Sequence, residues 1–214
     1  MLWPQFVQSL QCMSLGIWSW WAMDVFTVIA SYMTPADILT GQTIMRNITM
    51  LTFTIPVGIM ISSTVFVGNF VGANKIPTAK AYAKTCVKSA AIWGLATIVL
   101  LQLLQTQFIG IFTNDDIVKG IIFEAYPIIM LYVLFDCIQS VGMGIIRGLG
   151  RQGAASIGAV IGYWVIGVPF AWLAVFKLEW GIRGLWLGPT LAIMFNFIYF
   201  YSLVIRTDWD KVAA

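Results

Sequence analysis

AYPIIMLYVLFDCIQSVGMGII, running from Ala125 to Ile146, is long enough and apolar enough to cross a bilayer, yet it carries a carboxylate, Asp136, near its midpoint. A membrane-spanning helix needs about 20 mostly apolar residues. Asp136 lies about eleven residues from either end, roughly 15 Å deep at 1.5 Å per residue, and an aspartate side chain is too short to reach the interface from there. A charge at that depth costs a few kcal/mol even on lenient insertion scales, about 2.5–3.5, so such residues face a wet cavity or a partner. Desolvation disfavours the charged form, which makes taking and releasing a proton an alternative to pairing.

Five further stretches read the same way, so the expected spans are 10–33, 43–67, 84–108, 125–146, 155–176 and 185–205. Turn-forming residues separate them: Thr34-Pro35-Ala36-Asp37, Gly72-Ala73-Asn74-Lys75 ahead of Pro77, Thr113-Asn114-Asp115-Asp116, Gly148 to Gly153, and Leu178 to Gly184. The fold class is therefore all-α, a polytopic membrane bundle forming a single transmembrane domain over 1–214. Composition agrees: 60% of the 214 residues are hydrophobic and 10% charged, with mean hydropathy +0.88, against about a quarter charged in a soluble domain. The 10 Trp and 7 Tyr suit interfacial anchoring.

Charge gives orientation. Lys75, Lys80, Lys84, Lys88, Arg147, Arg151, Arg206 and Lys211 follow even-numbered spans, whereas Arg46, Lys119, Lys177 and Arg183 fall on the other side. The bias places both termini in the cytoplasm. A net charge of +3 on one membrane face points to no nucleic acid. Lys80, Lys84 and Lys88 line one helix face at the inner surface, as a positive-inside segment does. No basic region precedes the first apolar stretch, so no cleaved signal peptide is expected.

Several chemistries are excluded. With no histidine, the Ser/His and Cys/His pairs and His-based zinc motifs are absent, and no GxxxxGK phosphate loop appears. Cys12, Cys86 and Cys137 lie in or beside apolar runs and read as packing residues. An enzyme, a metal site and an organic cofactor are not expected.

The residues around the buried acids suggest a solute. Tyr132, Gln139 and Ser140 stand at minus four, plus three and plus four from Asp136, making a polar stripe. A second buried acid, Asp24, follows Trp20 and Trp21, and a carboxylate beside aromatic faces suits an organic cation. Asn47 adds a candidate hydrogen bond near the outer end of the second span. The four-residue spacing of Ser140, Gly144 and Gly148, and of Gly158 and Gly162, predicts close helix packing. A purely structural role for both acids remains the alternative at this point.

The segment IPVGIMISSTVFVGNFVGANK, Ile55 to Lys75, resembles the pattern of eukaryotic multidrug and toxic compound extrusion (MATE) transporters. It is followed in order by Ile111-Phe112-Thr113-Asn114-Asp115, Phe135-Asp136 with Gln139, Arg147-Gly148-Leu149-Gly150-Arg151-Gln152, Tyr163-Trp164 with Gly167 and Pro169, Gly184-Leu185-Trp186-Leu187-Gly188, and Arg206-Thr207-Asp208-Trp209. The resemblance covers about residues 18–210 and corresponds to the C-terminal six-helix half of a twelve-helix fold whose two lobes face a central cavity.

It implies a secondary active transporter exporting organic cations or xenobiotics in exchange for H+ or Na+, in the plasma membrane or a vacuolar or other internal membrane. It further implies cation coupling through Asp136 and Asp24, with Trp20, Trp21, Asn47, Tyr132, Gln139 and Tyr163 as cavity candidates. Its expected partners are a drug-like solute, the lipid bilayer, and a missing N-terminal lobe or a second copy of this chain. The family's E-W-W-x-x-E stretch reads Ser19-Trp20-Trp21-Ala22-Met23-Asp24 here, so its first acid is a serine. A half-length protein without independent transport, or a related carrier for another organic solute, would share the same sequence features.

Overall fold

The computed structural model describes residues 2–213, which are helical almost throughout with no strand among them. The order is α1 (Leu2–Ser31), α2 (Asp37–Gly72), α3 (Ile76–Leu103), α4 (Gln105–Phe112), α5 (Asp116–Gly148), α6 (Gln152–Val160), a π-helical stretch (Ile161–Gly167), α7 (Val168–Phe176), α8 (Gly181–Arg206) and α9 (Trp209–Ala213). Among the described residues six spans are long and apolar enough to cross a membrane, the fifth being the continuous rod Gln152–Phe176.

Helix ends follow local chemistry. The Asp115 side chain accepts from the backbone N–H groups of Ile117 and Val118, at 2.8 and 3.4 Å, and so caps α5. Asn74 has φ of 56° and ends the turn after α2, and Pro77 lies in the first turn of α3, where its missing N–H costs nothing. The second span starts at Asp37 rather than Thr43, which places Arg46 well inside a helix. The third, expected over 84–108, begins at Ile76 and breaks at Leu104. No Gly or Pro marks that break, and nothing in the local sequence explains it.

Packing centres on α5, buried against α2 on one side and α8 on another. Small residues set the distances. A Cβ on Gly144 would meet Ser63 Oγ and the Met60 carbonyl of α2, and one on Gly148 would meet the Thr64 carbonyl. Thr64 Oγ1 donates to the Gly144 carbonyl at 3.0 Å, a polar tie between two backbones brought close. Gly158 in α6 is covered by the Tyr199 ring of α8. The main core, including Phe26, Met45, Ile48, Ile129, Trp186 and Phe200, fills the space between α1, α2, α5 and α8. A second cluster of Val67, Val71, Ala79, Ile145 and Trp209 closes the end where α9 docks, with the Lys80 ammonium 5.9 Å from the Trp209 ring centre. Apolar residues such as Ile92, Leu103, Ile111 and Ile205 face outward. In water they would be a liability, but in lipid they cost nothing.

The fifth span is irregular for a definable reason. Pro169 lacks the N–H that an α-helix would direct at the residue four back. The Val168 N–H instead reaches the Tyr163 carbonyl, five back, so the helix widens through Ile161–Gly167. Gly162 and Gly167 within this stretch lie against Ala192, Asn196 and the Gly188 carbonyl of α8.

Gly144→Ala is expected to lower stability by about 1–3 kcal/mol through overpacking, whereas Gly58→Ala, whose Cβ would meet nothing within 4 Å, should be neutral. Thermal aggregation of the purified protein in detergent distinguishes them, and equal behaviour would contradict the close α2–α5 contact.

Candidate functional site

A cavity of about 320 Å³ opens between α1, α2, α5, α6, the π-helical stretch and α8. Three of its polar residues come from one face of α5: Asp136, Gln139 and Arg147 stand at i, i+3 and i+11, within one helical stripe. Asp136 lies deep in the bundle yet stays partly exposed, because the cavity rather than the outer surface supplies its contact with solvent. Its Oδ1 accepts from Gln139 Nε2 at 3.4 Å, a long and weak contact.

Tyr132 and Tyr163 line the same cavity as the carboxylate. The Tyr132 ring is fixed edge-on to Trp186 at 5.5 Å. Tyr163 is carried by the widened turn of the fifth span, the kind of irregularity often found at functional sites. Trp164, its neighbour, donates from Nε1 to the Trp18 carbonyl at 3.0 Å, tying this stretch to α1.

The second acid has a partner that the sequence reading missed. Arg46 Nη2 lies 2.6 Å from Asp24 Oδ1, and Arg46 Nη1 donates to Thr27 Oγ1 at 3.5 Å. Arg46, 24% exposed, lines the cavity wall, whereas Asp24, expected to be buried, has a side chain 59% exposed and lies at the rim outside the lining, because the helix step after Trp21 turns it to the outer face of α1. Charge counting sets Arg46 with Lys119, Lys177 and Arg183 on the side opposite the even-numbered span ends, but Arg46 lies in the interior of α2, so that side of the count falls to Lys119, Lys177 and Arg183. Arg46 and Asp24 stand eleven residues either side of Pro35 in an antiparallel hairpin. They therefore reach the same depth, a signal that was available in the sequence.

The remaining candidates divide. Trp20 lines the cavity. Trp21 points away, edge-on to Trp18 at 6.4 Å. Asn47 is exposed on another face of α2 and makes no side-chain hydrogen bond among the described residues, so the contact expected of it is corrected. Ser140 leaves the polar stripe, because it is fully buried and donates back to the Cys137 carbonyl at 2.9 Å.

Two groups emerge that the sequence did not single out. Asn196 of α8 lines the cavity, is 1% exposed, and has neither amide atom hydrogen-bonded. Arg147, read earlier as an inner-loop cation, also lines the cavity, and its Nε is buried without a partner. Ser19, in place of the family's first acid, is on the wall too, with its hydroxyl donated to the Gly16 carbonyl at 2.8 Å.

A family model described as MatE matches residues 12–173. The chain belongs to the MATE family. Human multidrug and toxin extrusion protein 2 is 30% identical over 211 residues, covering 99% of this chain and 35% of that protein. An uncharacterized transporter of Schizosaccharomyces pombe is 29% identical over 193 residues, covering 90% of this chain and 36% of its own length. In fold, the chain matches the crystal structure of a eukaryotic MATE transporter with a TM-score of 0.89 at 22% identity, over 97% of this chain and 47% of that one. This MATE chain thus spans about a third of the curated relatives it matches and about half of the solved structure. The named relatives are transporters, and six membrane-crossing helices make this an integral, multi-pass membrane protein.

Removing either side of the Asp24–Arg46 pair leaves the other charge at the cavity rim. A double-mutant cycle of Asp24→Asn and Arg46→Met, read by thermal stability in detergent, should show a coupling of about 0.5–1 kcal/mol. Strict additivity would mean the pair is incidental.

Proposed function

We propose that this chain is one lobe of a secondary active transporter that exports a small organic, drug-like solute in exchange for protons or sodium ions. The observation that carries the reading is a carboxylate, Asp136, near the middle of a membrane-length helix and lining a cavity with Trp20, Tyr132, Gln139 and Tyr163. Aromatic faces and one carboxylate attract an ammonium group by charge and by cation–π contact. Protonation of Asp136, or its occupation by a sodium ion, removes that attraction and favours release.

Asp24 is the second coupling group. Arg46 holds it at the rim, so it acts when the pair opens and a solute or ion competes with the guanidinium. With Arg46 inside α2, the basic residues that follow even-numbered spans still exceed those opposite, and both termini lie in the cytoplasm of a cell whose plasma membrane or vacuolar or other internal membrane holds the protein. A second lobe, supplied by the N-terminal half of a twelve-helix protein or by a second copy of this chain, completes the cavity. The chemistry needs no organic cofactor; the driving ion is the only co-reactant.

In the protein at its native full length, Asp136→Asn should abolish ion-coupled solute efflux while membrane insertion and expression stay intact. Efflux that survives with its ion dependence unchanged would remove Asp136 from the mechanism.

A further inference from the structure

The lysines of α3 are more ordered than membrane orientation requires. Between Asp37 and Asp115 the sequence has no carboxylate side chain, yet Lys75, Lys80, Lys84 and Lys88 follow one another there. All four are exposed, and none forms an ion pair among the described residues. Across from them on α9, Asp208 is held by Lys211 at 3.6 Å, so Asp210 alone remains on that helix to balance them.

Their direction is the informative part. At about 100° per residue, Lys84 and Lys88 stand about 40° and 80° round α3 from Lys80, and Leu95 and Val99 stand about 60° and 100° round, on the same face. Ile92, Leu95 and Val99 are exposed, whereas Ala83, Ala90, Gly94 and Leu101 on the opposite face are buried toward α2 and α5. No residue of α3 lines the cavity. The lysine column therefore continues the lipid-facing surface of the helix and points away from the solute pathway.

Depth follows from length. A hydrocarbon layer of about 30 Å takes about 20 residues, which counted back from Leu103 reaches Lys84. Lys84 thus lies at the hydrocarbon boundary, with Lys80 about 6 Å outside it and Lys88 about 6 Å inside. Helical side chains lean toward the helix N-terminus, so Lys88 bends back to the headgroup plane and three ammonium groups gather there. Lys80 is also held over the Trp209 ring, 5.9 Å from its centre. At the same level Tyr82 stacks on Phe66 at 5.0 Å with both rings exposed, an aromatic surface suited to the membrane interface. A topological signal needs positive charge on the correct side of the membrane. It does not need that charge aligned with the lipid face and carried below the boundary.

We propose that this face of α3 binds an anionic phospholipid in the leaflet at the helix's N-terminal end, which is the cytoplasmic leaflet on the orientation argued above. The headgroup phosphate lies between Lys84 and Lys88, a further acidic group of the headgroup meets Lys80, and the acyl chains run along Ile92, Leu95 and Val99. A membrane lipid already carries its phosphate at this depth, whereas a soluble phosphate does not.

The test places the native full-length protein in phosphatidylcholine nanodiscs with a tracer of phosphatidylserine bearing a photoactivatable diazirine on one acyl chain, and maps the label by peptide mass spectrometry. In wild type the label should fall on the α3 peptide that contains Ile92, Leu95 and Val99. Unlabelled phosphatidylserine should compete at least about tenfold more effectively than extra phosphatidylcholine, since each lysine near an anionic surface is worth about fivefold. Lys80→Gln, Lys84→Gln and Lys88→Gln combined should bring that ratio toward one, and the three corresponding Lys→Arg changes should keep it. Inorganic phosphate at constant ionic strength should leave the label in place. Equal competition by the two lipids in wild type overturns the proposal, even if the glutamine variant fails to fold. A ratio that survives the glutamine changes, labelling confined to other helices, or displacement by inorganic phosphate overturns it as well. The discs carry both lipids in both leaflets and transport plays no part in the readout, so the outcome is independent of the orientation and of the function proposed for Asp136.

Discussion

A carboxylate half-way through a bilayer must be given water, a counter-charge or a proton, and the rest of this lobe is arranged around that requirement at Asp136. The bundle gives it a cavity rather than a fixed cation: Asp136 lines that cavity and forms no ion pair among the described residues. To keep such a cavity open on one face of α5, the opposite face must be held without any polar driving force, since lipid offers no hydrophobic preference for helix contact. Gly144 and Gly148 supply that hold by letting the α2 backbone approach, with the Thr64–Gly144 hydrogen bond fixing the register. One helix thus carries a dry seam and a wet wall, and the boundary between them runs between Gln139, on the cavity, and Ser140, bonded to its own helix.

Irregular backbone appears where the cavity needs it. The widened turn of the fifth span frees the helix from the requirement Pro169 cannot meet and brings Tyr163 to the wall opposite Asp136. Gly162 and Gly167 allow that distorted stretch to lie directly on α8 beside Asn196. Trp164 ties it to the Trp18 carbonyl of α1, so the two helices that frame the aromatic side of the cavity are linked by a hydrogen bond as well as by packing.

Much of this was legible in the sequence, because a membrane imposes strong rules. Length and apolarity reveal spans, and small residues four apart reveal seams: Gly144 with Gly148, and Gly158 with Gly162, make close contacts with α2 and α8 respectively. Depth alone marked Asp136. What escaped was the direction of individual side chains. Trp20 and Trp21 are adjacent in sequence yet diverge by the 100° of one helical step, so one lines the cavity and the other packs on Trp18. Arg46 and Arg147 escaped because a basic residue near a span's end is first read as a loop charge. In Arg46's case the helix starts earlier than hydropathy indicates, since Asp37 and Thr40 dilute its first turn without breaking it. Asn196 escaped because a lone amide in an apolar run is ordinarily satisfied by a neighbour, and here it is not.

The account depends most on the claim that the Asp136 face of α5 meets a water-filled, solute-accessible cavity while the adjoining face is sealed. Single cysteines at Met143, on the cavity, and Val141, fully buried in the seam, can be placed in the native full-length protein after Cys12, Cys86 and Cys137 are replaced. A charged, membrane-impermeant thiol reagent should then label Met143→Cys and be slowed by transported solute, while Val141→Cys stays unreactive. Silence at both positions, or equal labelling of both, would contradict the cavity and with it the role given to Asp136.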